Sequence, residues 1–343
     1  MAIFSKRKLK KTHHKPRWQI DQTKKRGKIT GLLLRTIFLI IFILVSGLSL
    51  AVIFRFTQKS AFGNQGNFNF SVLTADKLYI LSYHNTPALL NVLMIEPDVY
   101  APLAKGFGEY RIKAIWELGE MEKFGGGELL KLSSQHFLGV PIQGWAKLND
   151  NPLYVQEDTG SIPKRQILIL IGKIFFSSTT NIHKLDALKL LTKIYSLPQT
   201  NIEFYSLDQT RAGEKITLAD KTAAYRIQKD FLENLAKNLF RDNAIINDGI
   251  IWGIVNTTNQ PGMAETAARL IHIIGGEVII ENAQDKIPGG IYCLKQSVCE
   301  SYSARLFADT FNLAIKNNIA SVTRAEALIV LDDNFFKTFY SRF

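Results

Sequence analysis

The sequence predicts an α/β protein held to a membrane by one N-terminal helix. Three observations point there. A basic tail runs directly into a long uncharged apolar stretch. Strand-like and helix-like segments then alternate towards the C-terminus. After residue 250, a strand, a polar turn, a helix opened by Pro261 and a Gly275-Gly276 stop follow in the order of a small α/β unit.

The tail comes first. Residues 1–28 hold eleven Lys and Arg and one acid, Asp21, so they carry +10 of the formal charge of +12. The remaining chain is nearly neutral, which argues against a nucleic-acid-binding surface on the folded part; no nucleic acid is expected as a partner. From Thr36 to Phe54, nineteen residues carry no charge, close to the roughly 20 apolar residues that cross a bilayer core. Arg35 is near enough to the end to reach headgroups. Lys and Arg are retained on the cytoplasmic side, so the expected arrangement is a single-pass protein of a cell membrane. Its N-terminus is inside, the lipid bilayer is met by residues 30–56, and the bulk lies outside.

The rest divides by pattern. Residues 57–71 are polar with interspersed Phe and read as a linker. Lys77–His84 and Leu90–Ile95, separated by Asn85-Thr86-Pro87, read as a hairpin. Arg111–Lys123 and Glu128–Leu138 read as helices broken by Gly125-Gly126-Gly127. That glycine run reads as a helix connection, because no Lys flanks it as in a phosphate cradle. Pro141–Leu148 alternates like a strand, Ile162–Phe176 and Leu185–Ser196 are helical, Ile202–Leu207 is a strand, and Ala219–Phe240 reads as one long amphipathic helix. Beyond it come strands at Ile250–Val255, Glu277–Glu281, Ile291–Leu294 and Ala327–Leu331, with helices at 261–274 and Ser301–Leu313. The two cysteines, Cys293 and Cys299, are spaced either for a disulfide in an oxidising compartment or as two buried thiols. The six His show no ligand spacing, and no nucleophile elbow, P-loop or zinc pattern appears.

The run through Asn256, Thr258, Gly262 and Ala264 resembles the V-x-N-x-T-x-x-x-G-x-A segment that opens the C-terminal domain of the LytR-CpsA-Psr (LCP) cell-envelope family. A weaker resemblance covers residues 72–148. Asp76 stands before the first strand, where the family has an acid. Ile95-Glu96-Pro97-Asp98-Val99-Tyr100 occupies the place of its Pro-Arg-Asp-x-Tyr motif, and Arg111-Ile112-Lys113-Ala114 that of Lys-Ile-Asn-Ala. Phe137-Leu138-Gly139-Val140-Pro141-Ile142 is similar to its closing phrase.

The resemblance implies an LCP-like α/β domain at 72–242, degenerate in its motifs, and a small LytR C-terminal-type α/β sandwich at 248–332. They follow a 1–29 tail, a 30–56 transmembrane helix and a 57–71 linker. It also implies bacterial cell-wall biogenesis, where the family moves a glycan phosphate from a polyprenyl pyrophosphate carrier to the wall. That chemistry needs arginines forked onto phosphate oxygens and carboxylates that hold a divalent ion. Asp76, Asp98 and Arg111 are the candidate phosphate and metal residues; Mg2+ is implied only if transfer is retained. The motif arginine is replaced by Pro97, which has no donor. The expectation is therefore a binding or scaffolding protein that meets wall polymer or an envelope protein. The alternatives are an active phosphotransferase and a receptor-like module signalling through its tail.

Overall fold

The computed structural model describes residues 60–155, 160–217, 221, 223–258, 260–281, 287–317 and 324–341, with 38–39, 41–43 and 46 in the apolar run. The chain forms two compact units, Met1–Lys59 and Ser60–Phe343. In the first, the six described residues are helical, and the side chains of Phe38, Leu39, Ile41, Phe42 and Ile43 are exposed. The basic tail and the rest of the expected span lie outside the described residues. Among those described, no helix is long and apolar enough to cross a membrane.

The second unit is built on three sheets. The first has the order β6-β1-β2-β3-β7, from β1 (Asn67–Leu73), β2 (Leu78–Asn85), β3 (Ala88–Ile95), β6 (Gly144–Lys147) and β7 (Ile202–Ser206). Its three central strands are antiparallel, and β6 and β7 add to them in parallel at the two edges. A second sheet, β5-β4-β9-β8, joins β4 (Val99–Leu103), β5 (Gly108–Arg111), β8 (Gly213–Thr217) and β9 (Ala223–Ile227). The third, β11-β10-β14-β12-β13, comprises β10 (Ile251–Asn256), β11 (Glu277–Glu281), β12 (Gly290–Cys293), β13 (Ile315–Asn317) and β14 (Ala327–Leu331).

The period-2 alternation of the first sheet feeds two cores. Phe68, Phe70, Val72, Tyr79, Leu81 and Tyr83 point to one side. There they meet α3 (Lys164–Phe176) and α4 (Lys184–Ser196), whose inner faces are Ile167, Leu170, Ile171 and Ile174, and Ala187, Leu190 and Ile194. Leu78, Ile80, Leu93 and Ile95 point the other way, onto Leu129, Leu130 and Phe137 of α2 (Gly126–Leu138), which follows α1 (Ile115–Met121). This second core continues through Leu232, Ala236 and Leu239 of α5 (Lys229–Phe240). Beyond α6 (Asn243–Asp248) it reaches Trp252 and Ile254 of β10 and Leu270 and Ile271 of α7 (Met263–Ile273). It then takes in Cys299 of α8 (Gln296–Cys299), Phe307 and Phe311 of α9 (Tyr302–Phe311), and Phe335 of α10 (Asp333–Phe339).

Several elements differ from the sequence reading. The segment read as a linker contains the start of β1, and all seven of its residues are buried. The amides of Asn67 and Asn69 are spent inside: Asn67 Nδ2 donates to the Arg241 carbonyl at 3.0 Å and Asn69 Nδ2 to the Pro141 carbonyl at 3.0 Å. The long helix read at Ala219–Phe240 is a strand, β9, followed by α5. The Ala223–Ile227 stretch pairs with β8 and β4, so tertiary pairing overrides a weak helical pattern. Arg111 ends strand β5 and does not begin a helix; a short 3-10 turn, Ile112–Ala114, separates it from α1. The glycine run exists for close packing. A Cβ at Gly126 would lie 2.5 Å from the Trp116 ring and one at Gly127 2.2 Å from the Trp145 ring. The Gly126 amide is held by Glu120 Oε1 at 2.8 Å.

Candidate functional site

The hairpin register sets the geometry of the predicted acids. Leu73 pairs with Leu78 and Leu78 with Ile95, so the β1–β2 and β3–β4 loops leave the same end of the first sheet. Asp76 is in the first loop and Asp98 in the second. Asp76 accepts from Thr74 Oγ1 at 3.1 Å and is approached by Asn151 Nδ2 at 3.4 Å. Asn151 also donates to the Tyr79 hydroxyl at 2.9 Å. Burial pushes that phenol up to about 12, against the Asn151 hydrogen bond and helped by the negative charges of Asp76 and Glu96.

Around Asp98 the cations close in. Lys113 Nζ lies 2.6 Å and Arg111 Nη1 3.5 Å from the same oxygen, Oδ1. The Arg111 guanidinium also stands 5.4 Å from the Tyr100 ring centre and donates to its hydroxyl at 3.0 Å. Lys77 is bonded to Glu96 at 3.0 Å. The Pro97 carbonyl accepts the Lys113 amide at 3.0 Å, which fixes the loop against the 3-10 turn. The structure thus joins Asp98 to Arg111, places Asp76 in the neighbouring loop, and adds Lys77, Glu96, Lys113 and Asn151. Lys113 was legible in the motif; Asn151 is remote in sequence and carries no local signal. Among the described residues no group of three or more His, Cys, Asp and Glu is placed to hold a metal ion. Asp98 is already held by two cations, which compete with any dication for its oxygens.

Asn256, Thr258 and Gly262 form a self-contained turn. Asn256 Oδ1 accepts from the Thr258 amide at 3.0 Å and hydroxyl at 2.6 Å, while its Nδ2 donates to the Gln260 carbonyl at 2.8 Å. Gly262, at φ +82°, starts α7 from the left-handed region that favours glycine. The turn follows a parallel strand, but its polar groups are spent on one another. Cys293 and Cys299 are joined by a disulfide that ties β12 to α8.

Two of the clefts away from these residues carry charged groups of interest. One, of about 600 Å³, is lined by Asn67, Lys131, Gln143, Tyr302, Arg305 and Asp309 among others. Burial raises the Asp309 carboxyl, and Lys131 opposes that shift. The other, of about 530 Å³, contains Glu109, His136, Lys229, Glu233, Arg269 and His272. There Arg269 is ion-paired with Glu233 and donates to the His136 and Phe137 carbonyls at 2.9 and 3.0 Å. The His136 imidazole is pushed down to about 4 by burial and by the positive charges of Arg269 and Lys229.

No protein-family model matches the sequence, and neither does any curated protein. Solved structures do. One is B. subtilis TagV, 16% identical, with 52% of this chain and 97% of that chain covered and a TM-score of 0.39. A second is a LytR-CPS2A-psr family protein, YwtF (TagT), with bound octaprenyl pyrophosphate lipid, 14% identical over 52% of this chain and 92% of that one, at a TM-score of 0.37. A transcriptional regulator from Enterococcus faecalis is 11% identical over 62% of this chain and 88% of its own, also at 0.37. A LytR-CPS2A-psr family protein is thus among the solved structures to which this chain is similar.

Proposed function

We propose that the protein is a membrane-anchored, extracytoplasmic component of bacterial cell-envelope assembly, and that it binds wall polymer or an envelope partner without transferring glycan phosphate. The anchor is the uncharged run behind the basic tail, with the tail cytoplasmic. The observation that carries the non-catalytic reading is the state of the motif loop. Pro97 stands where the family has its arginine, and the neighbouring cations, Lys77, Arg111 and Lys113, are each engaged by Glu96 or Asp98. A pyrophosphate leaving group needs donors aimed at the charge it develops; losing one typically costs about 100- to 1000-fold in rate. Binding falls to the cleft of about 600 Å³, where the charges of Lys131, Arg305 and Asp309 suit sugar hydroxyls and phosphates.

The test supplies the full chain in lipid nanodiscs with an octaprenyl-pyrophosphate-linked glycan, magnesium and a wall acceptor. The expected result is no transfer, together with retained wall-polymer binding that weakens about tenfold in the Lys131→Ala/Arg305→Ala variant. Transfer that disappears in Asp98→Ala would show that the loop is a working site.

A further inference from the structure

The two helices that cover the outer side of the first sheet have a second, unpartnered face. On α3, Ile169 and Phe176 are 43% and 84% exposed; on α4, Leu188 and Tyr195 are 48% and 74% exposed. These positions share one face of each helix, at spacings of seven residues. Basic residues lie on the same two helices: Arg165, Lys184 and Lys193, together with Lys164, Lys173 and Lys189, which are engaged by the Tyr195 and Leu197 carbonyls, by Asp150 and by the Ser60–Phe62 segment. Between Ser161 and Ile202 the single acid is Asp186, and it is buried at 1% exposure. Exposed apolar side chains beside Lys and Arg are the pattern of a helix that lies in an anionic bilayer surface.

The point where the chain enters this unit lies on the same hairpin. Ser60 Oγ and the Ala61 amide both donate to the Asp186 carboxylate, the latter at 3.0 Å. Lys189 Nζ donates to Ser60 Oγ at 2.7 Å and to the Phe62 carbonyl at 2.8 Å. Ser60 is therefore pinned to α4. The uncharged run ends at Phe54, six residues earlier. Six residues of fully extended chain reach at most about 20 Å. If the run spans the bilayer, the point on α4 to which Ser60 is pinned lies within that reach of the membrane surface.

From the charge pattern and the tether, we infer that the outer face of the α3–α4 hairpin docks on the anionic lipid surface beside the anchor. This inference rests on the membrane span proposed above. Ile169, Phe176, Leu188 and Tyr195 insert among the headgroups, and Arg165, Lys184 and Lys193 pair with lipid phosphates. Docking orients the unit and restrains the first sheet close to the membrane plane.

The test uses full-length chain in vesicles of equal parts phosphatidylglycerol and phosphatidylethanolamine. Cys293 and Cys299 are disulfide-bonded, so single introduced thiols can be spin-labelled. Labels go at Phe176→Cys and Leu188→Cys, with Ile43→Cys as the span reference and Met121→Cys as a solvent reference. The expected result is oxygen-favoured, lipid-like accessibility at 176, 188 and 43, and water-like accessibility at 121. Arg165→Ala with Lys193→Ala should lower the immersed population roughly 25-fold, about fivefold per charge. Water-like signals at 176 and 188 with a lipid-like signal at 43 would overturn the docking and leave the span intact. A water-like signal at 43 would overturn the span and this inference with it. Spin–spin broadening between labels at 176 would assign the face to a second copy of the chain, also against the inference. Immersion that is unchanged in phosphatidylcholine vesicles would overturn the electrostatic role of these basic residues.

Discussion

Asp242 shows how much one buried carboxylate organises. Its Oδ2 accepts the Asn67 amide at 2.8 Å and the Tyr302 hydroxyl at 2.9 Å, and its Oδ1 caps α6 by accepting the Ala244 amide at 2.9 Å. Burial and the Asp242 charge raise the Tyr302 phenol well above its ordinary range, so the hydroxyl stays a donor. Asp242→Ala leaves three donors without an acceptor, and a loss of about 3 kcal/mol or more is expected in urea denaturation. His136 makes a prediction with a sign. Its folded pKa, about 4, lies below the unfolded value near 6.5, so the unfolded chain binds the proton more readily. The associated stability is complete above pH 6.5 and is lost as pH falls towards 4, by roughly 3 kcal/mol at most. A His136→Leu variant should show a correspondingly shallower loss of stability from pH 7 to pH 4. An unchanged slope would mean that the ring is more solvated than its packing against Tyr340 implies.

At the scale of elements, the end of α5 explains why a sheet that should be apolar carries a polar row. Asn69, Ser82 and Asn91 are cross-strand neighbours on β1, β2 and β3. Asn91 Nδ2 donates to the Leu239 carbonyl at 2.7 Å, and His84 Nε2 lies 2.9 Å from the same oxygen, which can only accept. Asn67 takes the Arg241 carbonyl. The last carbonyls of a helix have no partner within it, and here the sheet supplies them. Burial lowers the His84 imidazole, in keeping with a neutral ring. The start of α2 makes the complementary point about volume. With no room for a Cβ beside the Trp145 ring, Gly127→Ala must displace that ring. A cost of about 1–3 kcal/mol is expected by thermal melting, with a shifted tryptophan emission maximum. A neutral result would show that the Trp116–Trp145 edge-to-face pair yields easily.

At the scale of the molecule, Ser60–Phe343 is one compact unit, and its largest core runs without a break from Leu73 to Phe335. The seam between the first and third sheets is both apolar and hydrogen-bonded, through Trp252, Leu239, Asp242 and Tyr302. Calorimetry of the full chain should therefore give one cooperative transition for this unit. Two resolved transitions would make the division expected near residue 248 an energetic boundary.

The β2–β3 hairpin, helices α2, α3 and α4, and the strand–turn–helix–strand order from β10 to β11 were legible in the sequence, because each rests on local periodicity and Gly or Pro punctuation. Asp76 before a strand and Asp98 after Pro97 were also legible, but it is the pairing register that brings their loops to one end of a sheet. Tertiary structure alone decided the rest. Only cross-strand pairing makes β9 a strand, and only the orphan carbonyls of α5 and the Asp242 carboxylate make Asn67 an interior residue. The partners of Asp98 split between the two sources: Lys113 and Arg111 stand in the motif, but the short β5 strand and 3-10 turn that bring them onto one oxygen are held by pairing with β4. Polar residues that are buried because a distant segment needs them carry no periodic signature, since their partners are separated by up to 175 positions of sequence.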